Sequence, residues 1–523
     1  MILLATPWLA SVAVLAATNL GYRGMWWDEA AQFWVSQGLS NYSPPFSAPR
    51  GLRDVARMNC LENLDPGGFT ALLRLWTAGG CGLVWLRALP FAFFVVASAA
   101  LGALGWRLTR SPAFAAAACA APSLFPPVIY FAFEIRAYSM EMAGVALGAF
   151  ALAWFHERPS AARSLFAGLV CAAFLTSRYS FVFAAAALAA ALWHVRSREA
   201  GQRVAFRFVV AFLLPVALIA LPVWWVTLTR QLHPAMKGGP LGVSSPAYTR
   251  GAVLLHGAND LQLILRNLLS PQALPITLAI LAAVSVRRRV YARLANGSRR
   301  LQLETIRERH AVFVPYIIGV QLISVVASAL GLYPWDIASR WSAYLVALSA
   351  VAAIVLAAEA RSLVLVALAG RTDAVPADRR LRIVEVTLAA VLALSASACL
   401  LLHRQSVEST RHTNVAMQID RLPLAALGEH TVFVAFYEVP TVRYLYEYGP
   451  YRGRPEYPGV FRFETPAEWR AQTPFSVRSE GTAFIVSALS PADAQARFPG
   501  ADVRPFGPEG SRLLAVSDRP RAS

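Results

Sequence analysis

Long apolar runs alternate with short polar connections as far as Leu402, after which the pattern changes. A helix that crosses a bilayer needs about 20 predominantly apolar residues. Runs of that kind occur at Leu3–Leu20, Ala88–Trp106, Ser111–Phe133, Ala137–Phe155, Phe208–Leu228, Ser270–Val286, Ala311–Leu332, Trp341–Ala358 and Ile383–Leu402. The stretch Ser164–Trp193 is long for one helix and short for two, and Ser177, Arg178 and Tyr179 interrupt its middle. Arg158 and Arg163 precede it and Arg196, Arg198, Arg203 and Arg207 follow it, so both flanks are expected on the cytoplasmic side. That predicts a pair of short helices with an outward turn at Arg178, and about eleven spans in all.

Beyond Leu402, residues 403–523 become polar and rich in Pro and Gly, with strand-like runs at Thr431–Phe436, Thr482–Ser487 and Leu513–Val516. Ser490-Pro491-Ala492-Asp493 carries a capping serine, a proline at the first helical position and an acid in the first turn. A small α/β domain is expected there. The division predicted is therefore a helical membrane domain, residues 1–402, with a long first outer loop over 21–87, followed by an α/β domain over 403–523. The N-terminal run has neither a basic n-region nor a small-residue cleavage signature, and is expected to stay as the first span.

Arginine sets the orientation. The segment Arg287–His310 holds Arg287, Arg288, Arg289, Arg293, Arg299, Arg300, Arg307 and Arg309, which assigns it to the cytoplasm. Counting spans from there puts the N-terminus inside. It puts Gly21–Arg87, Thr229–Asp260, Tyr333–Arg340 and everything after Leu402 outside. A hydrophobic fraction of 57% and only 15% charged residues exclude a soluble protein of this length. The net charge of +18 is mostly Arg, as in GC-rich bacterial genomes. Anionic lipid head groups are partner enough for it, without nucleic acid. Of five cysteines, Cys119, Cys171 and Cys399 fall in apolar runs, whereas Cys60 and Cys81 share the first outer loop, where an oxidising compartment allows a disulfide.

Acids beside membrane spans are costly and usually have a task. The first outer loop opens Met25-Trp26-Trp27-Asp28-Glu29-Ala30, two adjacent carboxylates just past a span. Like charges next to a low-dielectric region raise one pKa, which suits a general base or a metal ligand. A second group is Glu134-Ile135-Arg136-Ala137-Tyr138, with Glu141 beyond; spacings of four and three place Glu134, Tyr138 and Glu141 on one helical face. The bland reading is that Glu134 and Arg136 pair with neighbouring helices to lock the bundle. A third is the short outer loop Tyr333–Trp341, whose Arg340 can grip a phosphate by two hydrogen bonds or snorkel to lipid head groups. Lys237 and His233 in another outer loop, and Arg178 in the helix-pair turn, are weaker phosphate ligands; a lone Lys in a Gly-Gly-Pro loop is more often solvated.

Together these groups resemble the GT-C glycosyltransferases, membrane enzymes that take a sugar from a polyprenyl-phosphate carrier on the outer face of the membrane. The resemblance rests on Asp28-Glu29 after the first span, on Glu134, Arg136 and Tyr138 at the fourth, and on Arg340-Trp341. It is greatest to the protein mannosyltransferase and aminoarabinose transferase branch, whose members often end in a small periplasmic α/β domain. It implies a bacterial inner-membrane enzyme with a lipid, glycan or protein acceptor. The implied chemistry is an inverting displacement, with Asp28 as base, Glu29 in support, and Arg340 and then Arg136 steadying the leaving phosphate. Glu134, Tyr138, Lys237 and Arg178 would line the donor site. The branch usually closes its first loop with a His-Pro-Pro segment; here Leu64-Asp65-Pro66-Gly67-Gly68 stands in its place. That makes Asp65 a candidate ligand for a divalent metal ion. Two other classes compete. A transporter or flippase for a lipid-linked sugar would show internal repeats, and none is seen; a non-catalytic scaffold would have little use for the acid pair.

Overall fold

The computed structural model describes residues 2–20, 24–63, 65–125, 127–231, 300–329, 343–368, 374–402, 415–429, 431–474, 482–487, 491–499, 501–506 and 513–518. The Ser270–Val286 span, His233, Lys237, Arg340 and Trp341 lie outside the described residues.

The chain forms two compact units. The first comprises residues 1–18, 90–227 and 244–404; the second comprises residues 19–89, 228–243 and 405–523. The second unit thus unites the first outer loop with the C-terminal segment.

The first unit is helical. Its elements are α1 (Ile2–Leu20), α5 (Leu83–Thr109), α6 (Pro112–Ala120), α7 (Pro127–Phe133), α8 (Tyr138–Glu157), α9 (Ala161–Leu175), α10 (Phe181–Ala200), α11 (Gln202–Pro215), α12 (Leu221–Gln231), α13 (Arg300–Ala311), α14 (Phe313–Ala329), α15 (Ala343–Leu368) and α16 (Ala374–Leu402); α1, α5 and α12 run on into the second unit. Among the described residues, five helical stretches are long and apolar enough to cross a membrane: Leu83–Thr109, Tyr138–Glu157, Gln202–Gln231, Ala343–Val366 and Glu385–Leu402. The expected break at Arg178 is present, since α9 and α10 are separated by the turn Thr176–Ser180.

One expected span is not a continuous helix. Ser111–Phe133 divides into α6, a 3-10 turn over Ala121–Leu124, and α7. Pro122 is a cause: it removes a backbone donor, and its ring crowds the preceding turn. Pro215 has a milder effect, and the wide turn Val216–Ala220 carries the helix from α11 into α12 without a stop. Close packing uses small residues. A Cβ at Gly168 of α9 would collide with the Phe212 carbonyl and the Pro215 ring of α11, and one at Gly144 of α8 would strike Phe174 and Phe181.

The second unit begins with three short helices, α2 (Trp27–Ser36), α3 (Leu52–Glu62) and α4 (Gly68–Trp76). α2 packs on α3, α4 and the helix Val439–Glu447. The C-terminal segment forms a five-stranded sheet in the order β2-β1-β3-β5-β4, where β1 is Val432–Val434, β2 Phe461–Phe463, β3 Thr482–Val486, β4 Ala501–Pro505 and β5 Leu513–Asp518. β1 runs parallel to both β2 and β3, while β5 is antiparallel to β3 and β4. Alternation along the strands feeds two cores. Val432, Val434, Phe484 and Val486 face α17 (Val415–Asp420) and α18 (Val439–Glu447). Phe433, Ile485, Leu514 and Val516 pack with Ala494 of α20 (Pro491–Arg497) and with Phe498. Between β2 and β3 lies a single helical turn, α19 (Pro466–Arg470). Cys60 and Cys81 are both free thiols.

Candidate functional site

Asp28 and Glu29 occupy the first turn of α2, where the positive end of the helix dipole favours acids. Both are buried, Glu29 completely. Glu29 Oε2 accepts a hydrogen bond from the Trp26 backbone N–H at 3.3 Å and meets Arg87 Nη2 at 3.4 Å. Arg87 also donates to the carbonyls of Asn19 and Gly24. A charged pair shut away from water is held by additional hydrogen bonds of this sort. Glu29 therefore pins the start of α2 to the end of the loop, and Asp28 is the neighbouring carboxylate on the same turn.

A buried amide network stiffens the floor of this loop. Gln32, one turn beyond Asp28, donates to Thr70 Oγ1 at 2.8 Å; Thr70 donates to Asn59 Oδ1 at 2.7 Å; Asn59 donates to the Asp65 carbonyl at 2.8 Å. Gln231 reaches the carbonyls of Asn63 and Asp65 at 3.0 and 3.1 Å. The network grips the Asp65 backbone, and Gly67 makes the turn with φ of +101°, a conformation that favours glycine. Among the described residues, no group of three or more His, Cys, Asp or Glu side chains is gathered as a metal ion would require, so Asp65 has no such set of fellow ligands there.

The C-terminal segment closes over the loop. Trp34 Nε1 donates to the Pro440 carbonyl at 2.9 Å. Arg443 of α18 lies 4.0 Å over the Trp34 ring, donates to the carbonyls of Asn41 and Pro44, and pairs with Glu447 at 3.2 Å. Tyr444 donates to the Cys81 carbonyl at 2.7 Å, and burial pushes its hydroxyl pKa up against the opposing charge of Arg87. Glu62 accepts the Asn41 backbone N–H at 2.9 Å; burial raises its carboxyl above the ordinary glutamate value, with hydrogen bonds to Ser40 and Asn41 pulling the other way.

In the first unit, Glu134 does not share a helical face with Tyr138 and Glu141. α8 begins only at Tyr138, and residues 134–137 form a bend after α7, so Glu134 and Arg136 precede the helix that they were expected to open. Arg136 N–H donates to the Glu134 carbonyl at 2.6 Å, which tightens that bend. Tyr138, Glu141 and Arg178 do come together. Arg178 lies 4.7 Å over the Tyr138 ring and 3.6 Å from Glu141 Oε2, and Ser180 donates to Glu141 Oε1. Arg178 is thus engaged inside the bundle. The same unit holds an apolar cavity of about 500 Å³ among Phe114, Ala117, Leu124, Ile354, Val364 and Leu392.

Arg87, Arg443 and Tyr444 are the residues that sequence reasoning passed over. Arg87 carried a signal, because an arginine inside Leu86-Arg87-Ala88-Leu89 at the mouth of a span demands a partner. Arg443 and Glu447 carried a weaker one, their spacing of four. No protein-family model matches this chain, and no curated protein is significantly similar to it.

Proposed function

We propose that the chain is an inverting glycosyltransferase of the bacterial inner membrane, with about eleven spans. It would move a sugar from a polyprenyl-phosphate donor to an acceptor on the periplasmic side. The observation that carries this reading is the buried acid pair at the start of α2: Glu29 is engaged by Arg87 and the Trp26 amide, and Asp28, on the same turn, is assigned the role of base.

In this reaction the Asp28 carboxylate takes the proton of an acceptor hydroxyl as its oxygen attacks the anomeric carbon. The bond from that carbon to the phosphate oxygen breaks, the configuration inverts, and polyprenyl phosphate departs. Arg340 and Arg136 are assigned to the charge that develops on the phosphate. Glu29 acts by positioning. Arg178, paired with Glu141, supports the donor side by fixing Tyr138. A divalent ion at Asp65 would draw ligands from outside the described residues. Helices apolar enough to span the membrane, and a polar unit that includes the C-terminal segment, accord with this reading.

Asp28→Asn keeps the shape of the side chain and removes the base, so transfer from a radiolabelled polyprenyl-phosphate sugar should fall by about 100-fold or more. Thermal stability should stay unchanged, and the mutant should retain the lipid-linked sugar through purification, as read by mass spectrometry. Wild-type turnover in Asp28→Asn would refute the assignment.

A further inference from the structure

The second unit carries an aromatic surface that its own core does not require. Phe436 and Tyr437 lie in the 3-10 turn that follows β1, and Trp469 lies in α19, which follows β2. Phe436 is stacked with both Tyr42, at 4.4 Å between ring centroids, and Trp469, at 4.7 Å. Tyr437 meets Trp469 edge to face at 5.7 Å and Trp27 at 5.5 Å. Phe436 is buried, but Tyr437 is 39% exposed and Trp469 and Trp27 are half-buried, so the cluster has an inner ring and an outer face.

Three features point to a ligand. First, β2, β1 and β3 are mutually parallel, and these aromatic residues stand at the carboxyl ends of two of them, the edge at which α/β sheets bind ligands. Second, α19 buries none of its five residues, yet it is firmly built: Thr465 and Glu468 form a reciprocal cap and Arg462 pairs with Glu468. This fixed helical turn has no fully buried residue, and its largest side chain, Trp469, stacks one face on Phe436 while staying half-exposed. The turn after β1 is fixed as well, since Glu464 accepts the Phe436 backbone N–H at 2.8 Å and is itself held by Arg497. Third, Trp27 directly precedes Asp28 in the first turn of α2, so the surface begins beside the proposed base. Burial pushes the Tyr42 hydroxyl pKa up, and the Trp27 indole N–H beside it pulls the other way.

Rigid aromatic faces with polar tips suit a ligand that offers flat patches of C–H on one side and hydroxyls around its rim, which is the surface of a pyranose ring. We propose that this edge of the sheet is an acceptor subsite for a glycan, with sugar rings stacked on Tyr437 and Trp469 and the chain end led toward Asp28. The subsite rests on the transferase reading for its purpose, and it narrows the acceptor from lipid, protein or glycan to glycan.

The test uses the full-length protein in detergent and an array of neutral hexasaccharides built from glucose, mannose, galactose or arabinose. The wild type should bind at least one of them saturably. Trp469→Ala and Tyr437→Ala should each weaken that binding by roughly tenfold, while Tyr437→Phe, which keeps the ring, should retain it. Unchanged thermal stability of Trp469→Ala separates lost stacking from lost folding. The bound hexasaccharide then serves as acceptor in the transfer assay, where the alanine variants should raise its KM and spare kcat. Saturable binding that depends on both rings without any transfer by the wild type would leave the subsite standing and overturn the transferase. Transfer with an unchanged acceptor KM in both alanine variants, or no saturable binding across the array, would overturn the subsite.

Discussion

Arg87→Ala probes the joint on which the proposed base depends. The substitution removes a guanidinium with no solvent exposure and leaves Glu29 a buried carboxylate without its cationic partner. It also strips the Asn19 and Gly24 carbonyls of a donor. Removing one partner of a buried pair costs about 3–5 kcal/mol, because the charge left behind has lost its compensation. At about 2–4 °C per kcal/mol for domains of 150–250 residues, the melting temperature should drop by about 10 °C. The double variant Glu29→Leu, Arg87→Leu removes both charges and should recover most of that loss, since a well-filled apolar pair often matches a buried ion pair. The assay is thermal unfolding of the purified protein followed by tryptophan fluorescence, with the wild type, both single variants and the double variant. An unchanged melting temperature in Arg87→Ala, or a double variant as unstable as the sum of the singles, would refute the view that Glu29 is committed to Arg87.

Glu62→Gln tests a pH dependence. Burial raises the Glu62 carboxyl in the folded protein, so the folded state holds its proton to higher pH than the unfolded chain does, and stability falls as pH rises from the ordinary glutamate value through the raised one. The glutamine variant keeps an acceptor for the Asn41 amide, and its melting temperature should lack that decline; parallel curves for the two proteins would refute the assignment. Gly168→Ala should force α9 away from the Phe212 carbonyl and Pro215 of α11. A loss of about 1–3 kcal/mol is expected from overpacking, and thermal stability equal to wild type would refute the close approach.

The apolar runs made the helices legible, because hydropathy registers the bilayer directly and needs no knowledge of partners. The helix pair was legible for a second reason, as Arg178 stood between two apolar stretches. The break in Ser111–Phe133 was visible in its prolines but was outweighed by a composition that stays apolar throughout. In the α/β domain β1, β3 and β5 were found from their runs of branched and aromatic residues, whereas β2, Phe-Arg-Phe, and β4, Ala-Asp-Val-Arg-Pro, are interrupted by charge and too polar to register. The acid pair could be seen, but the partner of Glu29 could not. That partner is Arg87, 58 residues away from Glu29, and contacts at such separations leave no periodic trace.

The hydrogen bond from Trp34 to Pro440 joins residues 406 positions apart. During synthesis the first outer loop emerges early and then waits for its covering, on the order of 20–80 s at ribosomal speeds of about 5–20 residues per second. Throughout that interval Phe33, Trp34 and the Arg87 end of the loop have none of the cover that α18 later supplies. The protein thus makes the proposed base early but completes the packing around its loop late, and a ribosome that stalls before α18 would release a chain whose apolar helices have been made and whose first loop lacks the cover of α18.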